Sequence, residues 1–283
     1  MTTRREFTKA LAALAAATPL VQPVKGWLAR WHTAPLPTLG VQLYTVRESM
    51  QRDLEGTLAR VRGIGYREVE FAGYFGHTAA QLRAALGANG LAAPAAHVGL
   101  DALTVGLGDT LEAAEAIGHR WVVLAWIDPK DRTVEGYDRI ADQLNAAGEA
   151  GRAAGIRIAY HTHDYVFRPA HNGSIPLERL LARIDPRLVD IELDLYWAIC
   201  GGSDPRSWFE RYPGRFPMVH VKDAGPAPDF AMADVGAGSI DWRDIFRLRD
   251  KAGIRHYFIE HDTPVEPWSS ITASFRYLRH LSV

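Results

Sequence analysis

The 283-residue chain has a single cysteine, Cys200, so it can build neither an internal disulfide framework nor a cysteine-based zinc site. It has no excess of charge of either sign. Its 32 Lys and Arg stand against 33 Asp and Glu, a formal net charge of −1 that lacks the basic footprint nucleic acid requires. No apolar run is long enough to span a bilayer as a permanent helix. No glycine-rich phosphate loop follows an early strand, which counts against a dinucleotide-binding sheet. What is present is ordinary globular composition, 47% hydrophobic and 23% charged, with enough chain for a sizeable core.

The opening residues read as an address rather than as fold. Thr3-Arg4-Arg5-Glu6-Phe7-Thr8-Lys9 precedes an Ala/Leu run and Thr18-Pro19. A positive stretch, a short apolar stretch and a break describe an export signal. The paired arginines resemble a twin-arginine signal, with Thr8 where leucine is usual. An amphipathic terminal helix is the alternative. Residues 1–37 are therefore expected to be signal and linker, and the mature protein to be periplasmic without membrane attachment. Residues 38–283 are expected to form one domain.

From Leu39 onward, eight β-type runs alternate with helical patterns: LGVQLYTV, REVEFAGY, AAPAAHVG, RWVVLAWI, IRIAYHTHDY, VDIELDLYW, FPMVHVKD and HYFIEHD. Helical spacing is seen at Leu54, Leu58 and Val61, and again at Ile140, Leu144 and Ala147. Glycines at 65, 90, 155 and 253 stand where helix C-caps are expected. Eight strand–helix units predict an α/β fold, the (β/α)8 TIM barrel, with an open doubly wound sheet as runner-up.

Period two along each run collects polar residues on one parity: Gln42 and Tyr44, Glu68 and Glu70, His97, His161 and His163, Glu192 and Asp194, His220 and Lys222, Glu260 and Asp262. The other parity is apolar. Burying charge is costly unless it is paired or bound to a metal, so this pattern predicts a polar pocket at the barrel mouth. His, Asp, His and Glu from four successive strands can surround one divalent ion. Mixed imidazole and carboxylate ligands suit Mn, Co, Zn, Ni or Fe better than Mg.

The segments GVQLYTVR, EVEFAGYFG, AYHTHDYVF, IELDLYW, MVHVKD, VGAGSIDW and FIEHD resemble the sugar phosphate isomerase/epimerase family of the xylose isomerase-like barrel superfamily. The resemblance implies one divalent metal held by Asp194, His220 and Glu260. The fourth ligand is a glutamate in the related epimerases. Here the place reads Tyr160-His161-Thr162-His163, which points to His161 with His163 as fallback. The usual pair of proton-exchanging glutamates is thereby reduced to Glu260.

The shared chemistry is removal of a proton next to a carbonyl through an enediolate. Glu260 is the expected ligand that also handles a proton, with His163 or Glu70 as second acid/base group. Glu70 alternatively pairs with an arginine. Lys222 is expected either to bind a substrate oxyanion or to pair with Glu192. His97, Trp126, Trp197 and Tyr44 are the candidate substrate contacts, with core or lid packing as the alternative for the first three. Val235-Gly236-Ala237-Gly238 is expected to be a flexible loop over the site. The expected substrate is an unphosphorylated sugar or keto-sugar, handled by an isomerase or epimerase. A lyase or hydrolase on 3-keto-glycosides and a non-catalytic sugar-binding protein are the alternatives. A homo-oligomer is compatible with the resemblance.

Overall fold

A computed structural model describes residues 35–170 and 173–283. The expected export signal lies outside the described residues. The strands are β1 (Gly40–Gln42), β2 (Glu68–Ala72), β3 (Ala92–Val98), β4 (Trp121–Leu124), β5 (Arg157–His161), β6 (Val189–Asp194), β7 (Met218–Val221), β8 (Asp223–Ala224), β9 (Met232–Ala233) and β10 (His256–Ile259). β1 to β7 and β10 run parallel and close into a barrel when β10 pairs with β1. β8 and β9 form a small antiparallel hairpin after β7. The eight-stranded (β/α)8 barrel predicted from the sequence is therefore present.

Local chemistry sets the helices between the strands. Asp53 caps the helix α1 (Leu54–Ile64) by accepting from the Gly56 amide. Thr78 and Gln81 form a reciprocal capping box on α2 (Ala79–Asn89), and Gly90 ends it in the left-handed region that glycine tolerates. Thr133 caps the long helix α3 (Val134–Arg152). Pro176 opens α4 (Pro176–Arg183), which turns Leu177, Leu180 and Leu181 inward.

β6 shows how the strands divide their side chains. Val189, Ile191 and Leu193 join the main apolar cluster between barrel and helices. Asp190, Glu192 and Asp194 alternate with them, and every residue of the strand is buried. The barrel interior has two storeys. A small separate cluster fills the lower one: Ala95, Trp121, Val123, Ala159, Met218 and Phe258. There the Trp121 indole N–H donates to Asp190 Oδ2 at 2.7 Å, and Arg157 forks onto the same carboxylate at 2.6 and 2.8 Å. Gly40 is needed here, because a Cβ would stand 2.7 Å from the Phe258 ring.

Two expectations about local structure are corrected. The first strand stops at Gln42, whose side chain accepts from the Tyr44 amide and turns the chain into a 3-10 helix, Leu43–Val46. Tyr44 is therefore on a turn and not at a strand end. The Val235–Gly238 segment does not hang over the site. The Val235 amide donates to Ser274 Oγ, the Gly236 amide donates to Asp223 Oδ2, and Gly236 is seated against the Tyr277 ring of α5 (Pro267–Arg279). At the other end of the chain path, Pro35 bridges antiparallel to Ser282.

Candidate metal centre and substrate cavity

The upper storey is polar. Asp194 ends β6 and His220 lies opposite it in register on β7, while Glu260 directly follows β10. One donor atom from each of Asp194, His220 and Glu260 falls within 4.8 Å of the others. Asp194 is shaped from both sides. Its amide donates to Thr162 Oγ1 at 3.0 Å, and its Oδ1 accepts from the Trp197 amide at 2.8 Å, capping the helix α6 (Leu195–Cys200). Its Oδ2 is buried, with the Lys222 ammonium 3.1 Å away as its ion-pair partner. Burial pushes the Asp194 carboxyl up to about 6.

Beneath this trio, Glu192 is a hub. Its Oε2 lies 2.7 Å from His97 Nε2, 2.9 Å from His161 Nδ1 and 3.2 Å from His220 Nε2. Burial works to raise Glu192, but the surrounding imidazoles, His220 first, overcome it and hold the carboxyl well below its ordinary value. Glu70 lies alongside, 2.7 Å from His220 Nε2 and accepting from Gln42 Nε2 at 2.8 Å. Burial and then the neighbouring Glu192 push it up to about 7. His220 thus spans two levels, with Nδ1 2.7 Å from Glu260 Oε2 and Nε2 on the carboxylates below.

Lys222 is fully buried beside the trio. Its Nζ lies 2.7 Å from Glu260 Oε2, 2.7 Å from Asp262 Oδ1 and 3.1 Å from Asp194 Oδ2. Burial opposes the charge, yet the three carboxylates keep the ammonium protonated well above the usual lysine range. The expected pairing with Glu192 is corrected: strand adjacency of β7 and β10 delivers Glu260 and Asp262 to Lys222, and the three histidines hold Glu192.

A cavity of about 960 Å³ opens above this layer. Its wall includes Tyr44, His97, Trp126, His161, His163, Lys222, Glu260 and Asp262. Tyr44 and Trp126 are 41% and 48% exposed, so both present ring surface at the mouth. Glu70 and Trp197 are not on the wall. Glu70 is fully buried with Oε2 2.7 Å from His220 Nε2, where it positions that ring. Trp197 packs behind His163 and Lys222, with ring centres 5.8 Å from the former and 5.8 Å from the latter's Nζ. These two placements correct the acid/base role expected of Glu70 and the substrate contact expected of Trp197. Of the fifth-strand pair, His161 stands by the metal trio, its Nε2 3.8 Å from Asp194 Oδ2. His161 also belongs to a second potential ligand group, with His97, Glu192 and His220, whereas His163 belongs to neither group and keeps a buried Nδ1 without a hydrogen-bond partner. Burial, then the Lys222 charge, pushes its imidazole down to about 3, so it is neutral at ordinary pH.

The donor set fits a divalent transition ion. Two carboxylates and an imidazole converge, and a further imidazole, His161, stands beside them with its Nε2 3.8 Å from Asp194 Oδ2. Reasoning by strand parity lists Gln42 and Asp262 as inward without a task, and gives Glu192 only a possible pairing with Lys222. Their roles as hub, clamp and lysine partner depend on which strands are neighbours around a closed barrel.

An inosose dehydratase of Lacticaseibacillus casei is 30% identical over 91 residues, which are 32% of this chain and 30% of that protein. The match thus covers under a third of the length of this curated relative. A sugar phosphate isomerase/epimerase from Parabacteroides distasonis ATCC 8503 shares the fold with a TM-score of 0.72 at 23% identity, over 87% of this chain and 94% of that one. A 3-keto-D-glucoside 4-epimerase from E. coli superposes with a TM-score of 0.63 at 16% identity, over 80% of this chain and 94% of its own. The model of the xylose isomerase-like TIM barrel family matches residues 58–281, and the chain belongs to that family.

Proposed function

We propose that this protein is a divalent-metal-dependent isomerase or epimerase that removes a proton next to the carbonyl of an unphosphorylated sugar or keto-sugar. The observation that carries this reading is the convergence of Asp194, His220 and Glu260 just beneath a cavity large enough for a sugar ring. When bound there, a divalent cation supplies Lewis-acid polarisation of the carbonyl and charge stabilisation. His163 supports the reading with a neutral imidazole on the cavity wall, placed to hydrogen-bond a substrate oxygen. Glu260 is the one candidate metal-ligand carboxylate on the same wall. Lys222 and His97 line the same wall, and Trp126 and Tyr44 offer ring faces to C–H surfaces at the mouth. The wall carries Asp101, Asp128, Asp131, Glu260 and Asp262 against Lys130 and Lys222, and Lys130 is paired with Asp128 at 3.2 Å. That acidic balance disfavours a phosphate group.

Elimination is the second reading. The matched relative is named a dehydratase, and a single glutamate on the wall beside a neutral histidine suits loss of a leaving group as well as return of a proton. Incubating the Mn2+-loaded protein with an inosose or a 3-keto-glucoside in deuterated water tests both. An isomer carrying deuterium at the carbon beside the ketone is expected for the first reading, and for the second a product that has lost that carbon's hydrogen together with water or the aglycone. Glu260→Gln is expected to slow this exchange by about 10^3-fold. Absence from the loaded wild type of both a deuterated isomer and an elimination product overturns both readings and leaves a sugar-binding protein.

A further inference from the structure

Lys222 lies on the cavity wall beside the candidate ligands. Asp194 and His220 are fully buried and absent from the cavity wall, whereas Lys222, Glu260 and Asp262 are on it. The Lys222 ammonium touches both metal-site carboxylates, Asp194 at 3.1 Å and Glu260 at 2.7 Å. A divalent ion on those carboxylates and an ammonium on the same oxygens repel each other at contact distance in a dry setting.

We propose that Lys222 holds the place of the metal in the metal-free protein, and that Asp262 is the positioning residue that receives its ammonium when the metal loads. The inference rests on the reading of Asp194, His220 and Glu260 as ligands. Asp262 is already in contact, with Oδ1 2.7 Å from Nζ, so the ammonium keeps one partner while it leaves two. Asp262 is also fixed at its backbone: its amide donates to Met232 Sδ at 3.1 Å, and its carbonyl accepts from Arg47 Nη1 at 3.1 Å. Without metal, one ammonium serves three carboxylates. With metal, the divalent charge balances Asp194 and Glu260, and the ammonium balances Asp262. The Trp197 ring, 5.8 Å from Nζ, borders the path of the shift. Displacement also frees N–H groups of Lys222 for a substrate oxygen in the cavity, so metal loading and completion of the substrate site are one event.

The test is calorimetric titration of the full chain, stripped of metal, with Mn2+ and in parallel Zn2+. Lys222→Met is expected to bind at least tenfold tighter than wild type, because the competing charge is gone. Asp262→Asn is expected to bind at least fivefold weaker, because the ammonium loses its alternative partner. Metal-free Lys222→Met is also expected to melt below wild type and to gain more than wild type when Mn2+ is added. A generic loss of packing weakens binding in both variants and does not give opposite signs. Equal or weaker binding by Lys222→Met, or unchanged or tighter binding by Asp262→Asn, overturns the proposal. If Lys222→Met does not fold, Lys222→Gln replaces it and Asp262→Asn decides. Folded wild type that takes up neither ion overturns the metal reading itself. Wild type that binds while both variants match it overturns this inference alone.

Discussion

The two storeys inside the barrel are built from the same strands and do opposite things. Below, Trp121, Phe258 and Met218 fill the cylinder with apolar volume. Above, two residues further along β7 from Met218 comes His220, and two residues beyond Phe258 comes Glu260. The lower layer removes hydrocarbon from water and stabilises. The upper layer buries Glu70, Glu192, Asp194, His220 and Lys222, groups whose desolvation is only offset by one another. A strand of this barrel therefore changes from structure to chemistry within two residues, and the change falls at the end where barrel sites form.

The comparison breaks most visibly in the lower layer. Trp121→Ala leaves a void beneath the site and strips Asp190 of its indole donor, with an expected loss of about 3–5 kcal/mol in denaturant unfolding. Metal affinity per folded molecule is expected to stay near that of wild type, since Trp121 touches no candidate ligand group. Glu192→Gln is the matching change above. It leaves three imidazoles around an uncharged amide, and an expected loss of about 3 kcal/mol or somewhat less accompanies weakened metal binding. Equal effects of the two substitutions on metal affinity would erase the distinction between the storeys. The smallest effect lies outside both. His119 is buried against Tyr74 and Phe71, with Nδ1 2.6 Å from the Ala93 carbonyl, and burial pushes its pKa below the usual 6.5. The unfolded chain takes up the proton first, so the stability tied to neutral His119 is complete above pH 6.5 and declines as pH falls below it. Unfolding midpoints of wild type and His119→Gln between pH 8 and pH 5 check this, and the wild type is expected to fall more steeply.

Much of this was legible in the residue order. Alternation in VDIELD, MVHV and HYFIE separates the face toward the helices from the face toward the axis, and the glycine and threonine caps locate the helices. Asp194, His220 and Glu260 follow from that alternation, because each is the last inward position of its strand or the one just past it. Three features were not legible. Parity does not say that Lys222 meets Asp262 and not Glu192, which depends on β10 lying next to β7. It does not say that Gln42 caps its own turn and rolls Tyr44 off the strand. Nor does it say that Glu70 is covered by an imidazole while His163, on the same parity as His161, is left on the wall.

The pairing of Pro35 with Ser282 brings the two ends of the described barrel side by side. Joining them through a short linker would demand little rearrangement, so new termini can be opened in surface turns remote from the metal layer. A circularly permuted protein of this kind would move the tethering point of a fused domain around the rim without disturbing the strands that carry Asp194, His220 and Glu260.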